Sequence, residues 1–182
     1  MKTALFTGTF NPFTIGHADI VERALKIFDK IVIGIGYNPD KETKDSFLSP
    51  EIEARVTQIR KVYENDPRVV VEAYSDLTVD LAKRHNAVAI VKGVRSIKDF
   101  EYERDQADFN KLLSDGLDTI LFYSRPELSA LSSSMVRTLE MFGKDVSQFI
   151  PTQNRSRRRE GWRKCGQSIQ STNPSFRRTC GD

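Results

Sequence analysis

The chain is 182 residues long, 38% hydrophobic and 29% charged, enough apolar material for one domain with a full core. No apolar run reaches the roughly 18–20 residues that a bilayer span needs, and the first residues enter a strand-like stretch with no signal-peptide pattern. A cytoplasmic protein without a membrane partner is expected. The net charge of +3 is uneven: residues 1–150 hold 20 Lys and Arg against 23 Asp and Glu, whereas residues 151–182 hold 8 against 2. The basic excess therefore belongs to the C-terminal stretch, and no nucleic-acid partner is read for the rest.

Ala4–Phe6 is a short apolar strand. Thr7-Gly8-Thr9-Phe10-Asn11-Pro12-Phe13-Thr14-Ile15-Gly16-His17 follows as a glycine-bearing loop, and Ile20, Val21, Ala24, Leu25 and Phe28 then recur at helical spacing. A helix is expected from His17 to about Phe28. Ile31 to Ile35 is a β-branched run suited to a strand buried on both faces, and Tyr37 to Leu48 reads as a polar loop containing Lys41. Ser49-Pro50-Glu51 supplies a cap, a first-turn proline and an acid at the positive end of a helix reaching about Tyr63. Val69–Val71 is a third strand, and a short helix opens at Asp76 or Thr78 and runs through His85. Val88–Val91 is a fourth strand ending on Lys92-Gly93-Val94-Arg95, followed by a polar helix from Ile97 to about Leu113. Thr119–Phe122 is the fifth strand, and Ser132-Ser133-Ser134 begins a last helix to about Met141.

Strands alternating with helices predict an α/β fold, a Rossmann-like five-stranded parallel sheet with helices on both faces, over a domain of residues 1–151. Ligands of such sheets bind beyond the carboxyl ends of the strands. That rule selects residues 8–17, 38–41, 75–78, 92–95 and 129–134. The set combines glycines, hydroxyls and the cations Lys41, Lys92 and Arg95 with His17 at a helix start, where free N–H groups and the helix dipole favour phosphate. The chemistry suits a ligand with several phosphates. Most charges of the helix carrying Asp99, Glu101, Glu103 and Asp105 read as a solvated face, and His85 reads as a structural residue near a helix C-terminus. With His17 and His85 as the sole imidazoles, Cys165 and Cys180 read as free thiols and no protein metal site is expected.

Together the segments resemble the phosphopantetheine adenylyltransferases, within the nucleotidylyltransferase superfamily marked by a (T/H)-x-G-H signature. Thr14-Ile15-Gly16-His17 matches that signature. Thr7-Gly8-Thr9-Phe10-Asn11-Pro12 resembles the family's G-T-F-D-P with Asn11 in place of aspartate, and Val91-Lys92-Gly93-Val94-Arg95 its (I/V)-R-G-(I/L/V)-R with Lys92 in place of arginine. Asp99-Phe100-Glu101-Tyr102-Glu103, Ser132-Ser133-Ser134 and the segment from Gly143 to Pro151 also match in order, so the resemblance covers about residues 1–151. It implies transfer of AMP from ATP to 4′-phosphopantetheine, with Mg2+ bridging the ATP phosphates and a homohexameric assembly. It implies His17, Lys41 and Arg95 as catalytic residues. ATP would be held by Thr9, Phe10, His17, Gly93, Val94, Arg95, Glu103, Leu128, Ser129, Ala130, Leu131, Ser132, Ser133 and Ser134. The acceptor would be held by Thr9, Lys41, Thr78 and Lys92. Lysine at 92 keeps the charge but lacks arginine's bidentate fork, which predicts looser positioning of the acceptor.

Two rivals stand beside this reading: a relative that uses another phosphate acceptor, and a non-catalytic nucleotide-binding protein. Residues 152–182 are polar, arginine-rich and aperiodic, and are expected to be a disordered basic tail.

Overall fold

Ile31, Val32, Ile33 and Ile35 are wholly buried, as the unbroken β-branched run of a central parallel strand requires. They belong to a sheet seen in the computed structural model, which describes residues 1–36 and 49–153. The 37–48 loop with Lys41, and the basic tail beyond Gln153, lie outside the described residues. Met1–Pro151 form one compact unit.

The strands are β1 (Thr3–Gly8), β2 (Lys30–Gly36), β3 (Val69–Tyr74), β4 (Ala87–Val94) and β5 (Asp118–Tyr123). All neighbours pair in parallel, in the order β3-β2-β1-β4-β5. The helices are α1 (Ile15–Ala24), α2 (Pro50–Val62), α3 (Thr78–Arg84), α4 (Ile97–Leu112) and α5 (Ser133–Met141). None is long and apolar enough to cross a membrane among the described residues.

From β1 the chain steps outward to β2 and β3, then returns past β1 to β4 and continues to β5. Right-handed crossovers then place α1 and α2 on one face and α3 on the other. Ile20, Val21 and Ala24 of α1 and Ile52, Val56 and Ile59 of α2 pack on Phe6, Ile33 and Val91, while Leu81 and Ala82 of α3 pack on Leu5 and Val32. Each Val, Leu or Ile side chain among these contributes about 1.5–3 kcal/mol by leaving water. The strand order reverses between β1 and β4, and this is the crevice where doubly wound sheets bind ligands.

Two boundaries differ from the sequence expectation, and a third is decided between two expected starts. Helix α1 begins at Ile15 because Thr14, extended at φ −111 and ψ 167, is its cap; it ends at Ala24, with one further turn closed by Phe28 N donating to Ala24 O at 2.9 Å. Strand β4 runs on through Lys92 and Gly93, which pair with Leu121 and Phe122. Helix α3 begins at Thr78, the second of the two expected starts, while Asp76 pairs with Arg84. The sheet ladder, invisible to hydrophobic pattern, carries β4 past its apolar run.

Candidate active site

The carboxyl end of β1 turns on Gly8 into a knot of aromatic rings. A Cβ at Gly8 would lie 3.1 Å from the Phe10 ring, so the glycine makes room for that ring. Phe10 itself has φ 46, a left-handed backbone rare for a bulky residue. Its ring, 4% exposed, lies 5.1 Å from Phe6 and 5.5 Å from Phe13. The expected nucleotide contact by Phe10 is thus restricted to its main chain. The same holds for Val94, whose side chain is buried.

His17 sits on this knot at the third position of α1. Its ring centroid is 5.2 Å from Phe10, nearly perpendicular, and 5.4 Å from Phe13, stacked. Nδ1 accepts the Thr14 N–H at 3.0 Å and lies 3.1 Å from Thr14 Oγ1. An Nδ1 that accepts carries no proton, so the neutral imidazole bears its hydrogen on Nε2. Desolvation by the surrounding rings, and then the Arg95 charge, lower the pKa from 6.5 to about 4. The residue as a whole is only half-buried, but the rings and the Thr14 contact withhold water from the Nδ1 side, so the direction of the shift stands. His17 is therefore not one of the site's cations. It is a neutral donor aimed through Nε2–H.

Beside it, Gly93 lets the end of β4 approach α1: a Cβ there would lie 3.1 Å from Cγ1 of buried Ile20. Arg95 follows. Its Nε and Nη2 grip Asp99 at 3.0 and 3.2 Å, and its Nη1 donates to the Leu131 carbonyl at 3.1 Å. Lys92 Nζ lies 3.2 Å from Glu103 Oε2, both side chains largely buried. Two of the four acids read as a solvated face, Asp99 and Glu103, thus turn toward the site cations.

The third wall is the segment after β5. It makes a 3-10 turn, Pro126–Leu128, in which the Ser129 hydroxyl donates to Pro126 O at 2.8 Å. Leu131 packs over Gly16. Ser132 caps α5 by accepting Met135 N at 3.0 Å, and the Ser133 hydroxyl donates to Pro12 O at 2.8 Å. These bonds leave the Ser133 and Ser134 N–H groups without a partner among the described residues, at the positive end of α5. Ser134 Oγ accepts from Arg137 Nη2 at 3.3 Å. Thr9 is exposed, and its carbonyl accepts Arg55 Nη1 at 3.0 Å. Thr78 starts α3 beyond β3, its hydroxyl 3.1 Å from Tyr74 OH. Leu128 is half-buried and Ala130 exposed on the same segment. Lys41 lies outside the described residues. Elsewhere, His85 Nε2 lies 2.8 Å from Glu72, consistent with a structural residue.

Sequence reasoning missed Arg55 and Arg137. Arg55 is 7% exposed and stands with Ile52, Val56 and Ile59 on the buried stripe of α2. A charge at core-facing spacing was the signal available. Arg137 donates to the Asn11 carbonyl and brings a cation to the β1 loop, but nothing in its polar surroundings marked it in the sequence.

The chain is similar to several known proteins. The family model for cytidylyltransferase-like proteins matches residues 5–139. A phosphopantetheine adenylyltransferase of Bacteroides fragilis is 50% identical over 151 residues, 83% of this chain and 97% of that protein. One from Porphyromonas gingivalis is 52% identical over 148 residues, 81% of this chain and 93% of that protein. Among solved structures, a bifunctional NMN adenylyltransferase/ADP ribose pyrophosphatase from Francisella tularensis superposes with a TM-score of 0.60 at 19% identity, over 84% of this chain and 46% of that one; at that identity the likeness concerns the fold alone. Half of the residues shared along almost the full length of its relatives, on a sheet whose switch point gathers the His17, Arg95 and Ser132–Ser134 walls, place the chain in the phosphopantetheine adenylyltransferase family of cytidylyltransferase-like proteins.

Proposed function

We propose that this protein transfers AMP from ATP to the 4′-phosphate of phosphopantetheine, releasing dephospho-coenzyme A and pyrophosphate. The observation that carries the reading is the convergence of the β1 loop, the end of β4 and the N-terminus of α5 around His17, in a chain 50% identical to named phosphopantetheine adenylyltransferases. An oxygen of the acceptor phosphate attacks the α-phosphorus. The new O–P bond forms as the bond to the β-phosphate oxygen breaks, and pyrophosphate leaves with that electron pair. The phosphate is already a nucleophile, so no residue need take a proton from it. Catalysis then rests on alignment and on stabilising phosphoryl charge. His17 Nε2–H donates to the α-phosphate, and the α5 N–H groups with Arg137 face the outer phosphates. Lys92, with Lys41 and Thr78, receives the acceptor.

Among the described residues no three His, Cys, Asp or Glu side chains converge as a metal site, and the cleft's donors are mostly hydroxyls, N–H groups and cations. Magnesium fits as part of the ATP substrate, held by phosphate oxygens and water. The protein is proposed to act in the cytoplasm as a homohexamer. Helix α4 has no fully buried residue and leaves Ile97, Phe100, Phe109 and Leu112 exposed, apolar side chains for a second copy to cover.

The test is pyrophosphate release with ATP and phosphopantetheine. Wild type should release it only when both are present, and His17→Ala should lower kcat by about 10²–10³-fold, the range for losing one charge-stabilising donor. Release that needs no phosphopantetheine would remove the acceptor from this reading; an undiminished His17→Ala rate would remove the imidazole.

A further inference from the structure

The carboxylate of Asp19, two residues after His17 on α1, is 11% exposed and lies between two arginines. Arg125 Nε approaches Oδ1 at 2.7 Å and Arg23 Nη1 approaches Oδ2 at 3.2 Å. A carboxylate so far removed from water needs paired charge and hydrogen bonds to stay ionised, and here both partners lead to the same place. Arg23 Nη1 also donates to the Tyr123 carbonyl at 2.7 Å, and its guanidinium lies 5.1 Å from the centroid of the Phe122 ring. It therefore ties α1 to the last residues of β5. Arg125 stands one step further on. It is the residue from which the Pro126–Leu128 turn begins, and its carbonyl accepts Leu128 N at 2.9 Å.

The segment from Arg125 to Leu131 thus has two ends, each held by a guanidinium. The far end is held by Arg95 through the Leu131 carbonyl, and the near end by Asp19 through Arg125. Between them Pro126, Glu127, Ser129 and Ala130 are exposed, so little packing fixes the path. We infer that Asp19 is a positioning residue: by clasping Arg125 it sets where the segment leading into Ser132–Ser134 starts, and so aligns the donor-nucleotide wall with the His17 helix that carries the clasp. The inference rests on the reading of that segment as the ATP wall. It gives α1 two roles, His17 at its first turn and the clasp at its second.

The experiment is steady-state kinetics with both substrates varied, alongside thermal unfolding, for Asp19→Asn, Arg125→Gln, Arg125→Lys, the Asp19→Asn/Arg125→Gln double variant, and Arg137→Gln. Removing either partner should raise the KM for ATP about fivefold, a coupling typical of contacting charged groups. The KM for phosphopantetheine should stay within about twofold of wild type, and kcat likewise. Arg125→Lys should recover part of the loss, and the double variant should be no worse than the worse single one. Because Arg125 is half exposed, Arg125→Gln should keep its Tm near that of wild type even if Asp19→Asn folds poorly. An ATP KM raised by Arg137→Gln but not by Arg125→Gln overturns the clasp and keeps the ATP wall. An ATP KM that neither variant moves overturns both. A fall in kcat or Tm with the ATP KM unchanged assigns Asp19 to folding and overturns the inference as well.

Discussion

His17 shows how a residue's chemistry can follow from one backbone hydrogen bond. Its Nδ1 is occupied by the Thr14 N–H, so the proton that matters is on Nε2, and burial with Arg95 nearby holds the pKa at about 4. The folded-state value lies below the 6.5 of an unfolded chain. The unfolded state therefore binds the proton first, and stability is full above about pH 6.5 and declines as pH falls toward 4. The full shift would correspond to about 3 kcal/mol; the ring's partial exposure reduces this to the order of 2 kcal/mol. Denaturant titrations between pH 7 and 4 should show that decline, and His17→Gln should remove this share of it. Imidazole 15N shifts give a direct check: the Nε2–H tautomer should persist down to about pH 5. A ring found protonated at pH 6 in the free protein would contradict the assignment.

At the scale of elements, α2 supplies a brace. Arg55 reaches from its buried stripe to the Glu51 carbonyl at 3.1 Å and the Thr9 carbonyl at 3.0 Å, joining α2 to the β1 loop. Arg55→Met keeps apolar bulk but deprives both carbonyls of a charged donor. It should lower unfolding free energy by about 2 kcal/mol, read from the denaturant midpoint, and should lower kcat as the Thr9–Phe10 turn loosens; an unchanged midpoint would show that the brace is ornamental. The contrast with the sequence reading is instructive. Strands such as Ile31–Ile35 and the Ser49-Pro50 helix start were legible because burial periodicity and caps are local. The β4 extension through Lys92 and Gly93 was not, because ladder pairing is non-local. Likewise His17 could be placed at a helix start from Gly16 and Thr14, but its neutrality depends on Phe6, Phe10 and Phe13 folding round it. Lys92 and Glu103 were assigned to different substrates, and only packing shows that they pair.

At the scale of the molecule, α4 poses the sharpest contrast: 16 residues with none fully buried, beside an edge strand. Exposed apolar side chains spread around a helix favour association. Light scattering of wild type should give the mass of six chains. Placing charges on that helix, Phe109→Glu with Leu112→Glu, should give the mass of one, with the His17 and Arg95 walls unaltered because neither residue reaches the cleft contacts. A wild-type chain that runs as a monomer would end the proposal of a hexamer.

The neutral imidazole has a last consequence, for direction. In the proposed reaction His17 would begin and end turnover in the same protonation state, forming no covalent bond and passing no proton along, beside fixed charges and N–H dipoles. Both directions then start from the same protonation state of the enzyme, and pyrophosphate's attack on the product's adenylyl group passes through the same transition state, as microscopic reversibility requires of any catalyst. The protein accelerates both directions alike, and net flux is decided outside it, by how quickly pyrophosphate is removed.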